Sequence, residues 1–118
     1  MIEGTCHCGA VGYEFRDTPE AATRCNCSLC RRLGTLWIYT APENVTVREA
    51  QGATVGYRTA SGRLEFRSCT TCGTTVYWRG VAPDYPRMAV NLSLAELDVI
   101  GGIRIRRFDG ADTWTFLD

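Results

Sequence analysis

The sequence predicts a mainly β fold, a sandwich or a set of folded sheets, held together by metal sites. Two observations carry this. Short runs of β-branched and aromatic residues recur along the chain, separated by Gly, Pro and Ala-Ser-Gly turns, with little helical periodicity. Seven cysteines fall in three tight clusters, a pattern suited to pinning strands together.

The elements follow in order. Thr5–Phe15 alternates apolar and polar residues and reads as one strand. Thr18–Ala22 is polar enough to form a turn. Leu36–Ala41, Val45–Glu49, Thr54–Thr59, Leu64–Ser68, Thr74–Arg79 and Met88–Leu92 are strand candidates by β-branched and aromatic content. Ala60-Ser61-Gly62 reads as a hairpin turn between two of them. Val81–Pro86 holds two prolines and reads as a loop. Ser93-Leu94-Ala95-Glu96 has the capping-box spacing, which predicts a helical turn over Leu94–Val99 ended by Gly101-Gly102. Ile103–Phe108 and Trp114–Leu117 complete the strands. No repeat or linker interrupts the chain, so a single domain over 1–118 is expected.

Composition narrows the chemistry. At 118 residues and 45% hydrophobic content the chain can build a compact core. The start Met1-Ile2-Glu3-Gly4 has no basic or apolar leader, and no apolar run has the length of a membrane span, so a cytoplasmic location is expected. In a reducing compartment closely spaced cysteines are metal ligands rather than disulfide partners. The formal net charge is zero, and thiolates bound to divalent ions would make the chain mildly acidic, a poor match for a phosphate backbone. All thirteen basic residues are Arg, which excludes Schiff-base chemistry on a lysine. His7 is the only histidine, so any triad would have to use it.

The cysteines divide as four plus three. Cys6 and Cys8, two apart in a strand-like stretch, share a face, and Gly9 follows them. Cys69 and Cys72 are followed by Gly73. A glycine after each pair permits a turn that aims backbone N–H groups at the thiolates. This common signature assigns Cys6, Cys8, Cys69 and Cys72 to one closed, structural zinc site. Cys25, Cys27 and Cys30 form a local tripod with no obvious fourth ligand, as a catalytic zinc with an open position would require. Arg24, Arg31 and Arg32 flank it and would attract an anionic ligand. Two Zn²⁺ per chain are expected.

Other readings stand beside these. The cysteines could be core hydrophobes or a redox pair, although no βαβ context surrounds Cys69. Both metal sites could be purely structural. His7 between Cys6 and Cys8 would point away from them in a strand, and reads as a surface residue rather than a ligand. Arg104, Arg106 and Arg107 form a solvated strand face or a carboxylate-binding patch. Trp37, Tyr39, Tyr77 and Trp78 read as packing residues ahead of a ligand platform.

Three segments together resemble a known family. Gly4-Thr5-Cys6-His7-Cys8-Gly9-Ala10-Val11-Gly12-Tyr13, Cys25-Asn26-Cys27-Ser28-Leu29-Cys30-Arg31-Arg32-Leu33-Gly34 and Phe66-Arg67-Ser68-Cys69-Thr70-Thr71-Cys72-Gly73-Thr74 are similar to the motifs of the glutathione-dependent formaldehyde-activating enzymes, in the same order. Trp114 extends the likeness toward the C-terminus. The resemblance implies an Mss4-like (β-tent) fold of folded antiparallel sheets with short helical turns. It implies the same division of ligands, with Cys25, Cys27 and Cys30 on the catalytic zinc. It also implies a carbon–sulfur lyase-type reaction, in which glutathione or a similar small thiol adds to formaldehyde or another small aldehyde.

Two other functions compete with a zinc-dependent thiol–aldehyde enzyme. A non-catalytic zinc module of the same fold would bind a protein partner. A zinc-ribbon nucleic-acid binder needs a basic face that the charge balance does not supply. Neither nucleic acid nor membrane is expected as a partner. The oligomeric state is not legible in the sequence.

Overall fold

The computed structural model describes residues 1–59 and 62–118. Among these residues, ten strands form two sheets. A three-stranded sheet has the order β1-β2-β5, from β1 (Ile2–Thr5), β2 (Val11–Phe15) and β5 (Val45–Glu49). The other strands are β3 (Ala22–Cys25), β4 (Trp37–Thr40), β6 (Thr54–Thr59), β7 (Leu64–Cys69), β8 (Thr75–Gly80), β9 (Met88–Asn91) and β10 (Ile105–Phe108). They make a seven-stranded sheet in the order β10-β3-β4-β9-β8-β7-β6. All pairings are antiparallel except β10 with β3, which is parallel. Among the described residues, helix is confined to α1 (Cys30–Leu33), α2 (Leu97–Gly101) and two 3₁₀ turns, Pro42–Asn44 and Leu92–Leu94. The mainly β class expected from the sequence is the class observed.

Several expected elements are redrawn. Thr5–Phe15 is two strands, because the chain reverses at Cys6–Ala10. Cys6 and Cys8 therefore sit in a turn rather than on one strand face. Ala22–Cys25 is a strand, and the residues before it are irregular. Its apolar content is too short to reveal the pairing with β4 and β10. Trp114–Leu117 is not a strand; it makes one isolated bridge, Phe108 to Phe116. The Ser93 capping box does not form: Asn91 accepts from the Ser93 N–H instead, and α2 starts at Leu97. The Ala60-Ser61 part of the expected hairpin turn lies outside the described residues, while β6 and β7 pair antiparallel on either side of it. No helix among the described residues is long and apolar enough to cross a membrane.

Period-two alternation gives the large sheet two apolar faces. On β4, Ile38 joins the main core, while Trp37 on the opposite face joins a second cluster. On β9, Met88 and Val90 face the main core and Ala89 faces the second cluster. The main core is closed from the small sheet by Ile2, Val11, Tyr13 and Phe15. Buried Asn91 ties the two layers with every polar group engaged. Its Oδ1 accepts from Leu36 and Ser93 N–H at 3.2 and 3.1 Å, its Nδ2 donates to Thr75 O at 2.8 Å, and its carbonyl accepts from the Tyr13 hydroxyl at 2.9 Å. Such a satisfied polar group specifies one packing arrangement.

Candidate metal centres and their cavity

The seven cysteines meet as the two sets that their spacing suggested. The sulfurs of Cys6, Cys8, Cys69 and Cys72 all lie within 4.8 Å of one another, as do those of Cys25, Cys27 and Cys30. Cys6 to Cys8 is 3.6 Å and Cys8 to Cys69 is 3.5 Å. A tetrahedral ion with sulfur at about 2.3 Å needs sulfurs roughly 3.8 Å apart. All-sulfur donor sets at these separations fit a thiophilic divalent ion.

The four-sulfur set is built from two matching turns. Gly9 and Gly73 adopt φ of +83° and +78°, which a side chain would resist. The turns aim backbone N–H groups at sulfur, as expected: Val11 donates to Cys6 at 3.3 Å and Thr71 to Cys69 at 3.4 Å. The Thr74 hydroxyl and the backbone N–H groups of Cys8 and Thr74 push the Cys72 thiol down to about 5. The Cys72 and Thr71 N–H groups lower Cys69. The Ala10 N–H favours the Cys8 thiolate, but the crowd of Cys69, Cys6 and Cys72 sulfurs outweighs it and holds Cys8 up at about 11. Backbone N–H groups thus favour the thiolate at Cys69 and Cys72, while crowding by sulfur favours the thiol at Cys8. His7 is exposed and outside the ligand set.

The tripod is assembled from the end of β3, the following turn and the first residue of α1. Cys27 N–H donates to Cys25 sulfur at 3.5 Å, and Cys30 N–H to Cys27 sulfur at 3.3 Å. The Trp37 indole N–H donates to Cys30 sulfur at 3.4 Å. Burial raises the Cys25 thiol and, despite the Trp37 hydrogen bond, raises Cys30 further. Burial also opposes ionisation of Cys27, yet the N–H groups of Cys30 and Leu29 bring it below its usual value. Among the described residues no Cys, His, Asp or Glu atom joins the three sulfurs as a fourth ligand.

The C-terminal tail completes this site. Parallel pairing sets Phe108 opposite Cys25. Asn26, between two of the cysteines, donates to Asp109 Oδ1 at 3.0 Å and accepts from Ala111 N–H at 3.0 Å. Asp109 also accepts from the Thr113 hydroxyl at 2.9 Å. Gly110 lies against the tripod: a Cβ there would stand 2.7 Å from Cys25 sulfur and 3.2 Å from Cys27 Cβ. Asn26, Asp109 and Gly110 were not singled out in the sequence. The Asp109-Gly110 pair signals a turn, but nothing local shows that the turn lands on cysteines more than eighty residues away.

All three tripod cysteines line a cavity of about 510 Å³. Register builds one wall. Tyr39 pairs with Ala89, Ala89 with Trp78 and Trp78 with Phe66, so these side chains run in a row across β4, β9, β8 and β7. Tyr39 and Trp78 meet with ring centres 6.1 Å apart, over the small Ala89. The facing wall comes from the tail: Phe108 packs edge-on against both Trp114 and Phe116 at 5.1 Å. Trp37, Tyr39 and Trp78 thus line a cavity, whereas Tyr77 lies in the main core. Burial, and then the three nearby sulfurs, push the Tyr39 phenol well above its usual value.

The arginines expected around the tripod are elsewhere. Arg24 alternates away from Cys25 and is exposed, Arg31 is exposed, and Arg32 donates to the Ser28 carbonyl at 2.6 Å. None lines the cavity; Arg87 does. Arg106 is held by the tail, stacked 3.7 Å over Phe116 and 3.5 Å from Asp118.

A largely antiparallel two-sheet fold carrying a four-sulfur and a three-sulfur set, each able to hold a metal ion, defines a cysteine-rich class of protein. Residues 1–101 match the family described as glutathione-dependent formaldehyde-activating enzyme, and the chain belongs to it. The fold is similar to that of a crystal structure of a Rhodobacter sphaeroides protein, with TM-score 0.69 and 25% sequence identity over 88% of this chain and 99% of that one. No curated protein matches the sequence.

Proposed function

We propose that the chain is a zinc-dependent carbon–sulfur lyase-type enzyme that joins glutathione or a similar small thiol to formaldehyde or another small aldehyde. The carrying observation is the tripod: three sulfurs without a fourth protein ligand among the described residues, opening on a cavity. In this reading Cys6, Cys8, Cys69 and Cys72 hold a structural zinc, and Cys25, Cys27 and Cys30 hold a catalytic one. Zinc bound at the tripod would supply a Lewis-acid centre that favours thiolate over thiol.

The chain's own residues supply the rest. Backbone N–H groups and the Trp37 indole hold the tripod sulfurs in place. The aromatic walls give the reacting carbon an apolar surface to lie against. The thiol sulfur adds to the carbonyl carbon, a C–S bond forms, the C=O becomes C–OH and the thiol proton ends on that oxygen. No oxidant is needed. Tyr39 lines the cavity, and its phenol O–H is the donor for the oxygen as charge develops there.

The test is adduct formation from formaldehyde and each of a panel of low-molecular-weight thiols, glutathione among them, followed by NMR, with metal content measured in parallel. The wild-type protein should hold about two zinc ions and accelerate the reaction. Cys27→Ser should keep about one and lose the acceleration. A rate unchanged by Cys27→Ser, or equal to the uncatalysed one, overturns the reading.

A further inference from the structure

We infer that the cavity over the tripod is shaped for a thiol with a flat apolar body and a single carboxylate, the carboxylate seated on Arg87. This rests on the enzyme reading above, because it assigns the body of the thiol that reaches the tripod. Three observations carry it. Arg87 is the only charged side chain in the lining, and among the described residues its guanidinium has no carboxylate partner. The rest of the lining is dominated by rings, with Phe66 and Trp78 on the sheet side and Phe108 and Trp114 on the tail side. The cavity, about 510 Å³, far exceeds the roughly 150 Å³ that accommodates a benzene ring, so a ring and a short chain fit together.

Glutathione matches this lining poorly. It carries two carboxylates and an ammonium group. Arg87 can pair with one carboxylate, while the lining has no Asp or Glu for the ammonium. Polar groups pressed unpaired against rings lose their hydration without a hydrogen bond in return. A phenyl-sized body instead gains from burying its apolar area against those rings.

Trp114 supplies an independent sign. It is the one non-glycine residue among the described residues with positive φ, at 58°. Strain of this kind persists where the surroundings hold it. Here the Trp114 N–H donates to Asp109 O at 2.8 Å, and the ring sits on Phe108 while remaining 69% exposed. An exposed tryptophan in a strained backbone, facing the tripod, is explained by a ligand that covers it. The tail that carries Phe108 and Trp114 lies beyond residues 1–101, the span matched to the family.

The experiment is calorimetric titration of the full metal-loaded protein with β-phenyl-α-sulfanylpropanoate, its methyl ester, the sulfur-free phenylpropanoate, and glutathione. The phenyl thiol should bind at least about ten-fold more tightly than glutathione. The ester should bind about ten-fold more weakly than the acid, and Arg87→Gln, at an exposed position, should erase that difference. Trp114→Ala should weaken phenylpropanoate, which reports on the walls without the tripod. Glutathione binding as tightly as the phenyl thiol, or an acid-to-ester ratio untouched by Arg87→Gln, overturns the inference. NMR of formaldehyde adducts separates the two claims. Accelerated adduct formation from glutathione with no binding of the phenyl thiol removes this inference and keeps the enzyme. Tight phenyl-thiol binding with no accelerated adduct from either thiol keeps the pocket assignment and removes the enzyme.

Discussion

Gly110 shows how closely the tail approaches the tripod. Its missing Cβ leaves the space that Cys25 sulfur occupies, 2.7 Å from where a methyl would stand. Such a clash cannot be relieved by a flexible side chain, because the neighbour is a ligand atom at the end of a strand. Gly110→Ala should therefore displace Cys25 and release the tripod metal, while the distant four-sulfur site keeps its own. Metal analysis should fall from about two ions to about one, with a folded circular dichroism spectrum. Two ions retained with unchanged thiol binding would show that the tail is not seated on the tripod. Trp37 is a companion case. Its ring fills the second cluster and its N–H holds Cys30, so one side chain serves both packing and the metal centre.

At the scale of elements, β6, β7 and β8 are locked by charge as well as by their ladders. Glu65 on β7 is buried and contacts Arg58 on β6 at 3.4 Å, Arg67 at 3.2 Å and Arg79 on β8 at 2.9 Å. Burial opposes its ionisation, but the three guanidiniums prevail and hold the carboxyl below its usual value. A carboxyl depressed in the folded state stabilises fully above its unfolded pKa of about 4.3 and less as pH falls through the folded value. Glu65→Gln should thus lower the melting temperature at pH 7 by several degrees, on the order of 1–2 kcal/mol given the exposed arginines. The gap from wild type should shrink below about pH 4. A gap independent of pH would assign the loss to packing rather than charge.

At the scale of the molecule, the two sulfur sets have different mechanical roles. The four-sulfur set brings the turn after β1 against the turn after β7, so an ion bound there would clamp the small sheet to the large one. Cys8 and Cys69 are 61 residues apart. Losing that clamp frees long loops and removes metal-binding energy coupled to folding, on the order of 10 kcal/mol in small zinc modules. The tripod joins only neighbours. Cys69→Ser should therefore unfold the protein or abolish soluble expression, while Cys27→Ser melts within a few degrees of wild type. Thermal melts with metal analysis check this. The reverse order of damage would exchange the two roles.

The sequence by itself determined the class of fold, most strand positions and the partition of cysteines. β5 and β6 occupy the expected residues because β-branched alternation is a local signal. The four-plus-three division was legible because ligand spacing and the glycine after each pair are written in adjacent residues. Whatever depends on partners distant in sequence was not. The reversal at Cys6–Ala10 inside an alternating run, β3 and its parallel partner β10, and the landing of Gly110 on Cys25 all depend on long-range pairing. So does the cavity. The sequence placed arginines beside the tripod, but a residue's neighbours along the chain point elsewhere once α1 and β3 turn them outward. The tertiary structure brings Arg87 and the aromatic rows of β4, β7, β8 and the tail to the sulfurs instead. Sheet register alone puts those side chains on one face, and register is settled by the packing of both sheets rather than by any single strand.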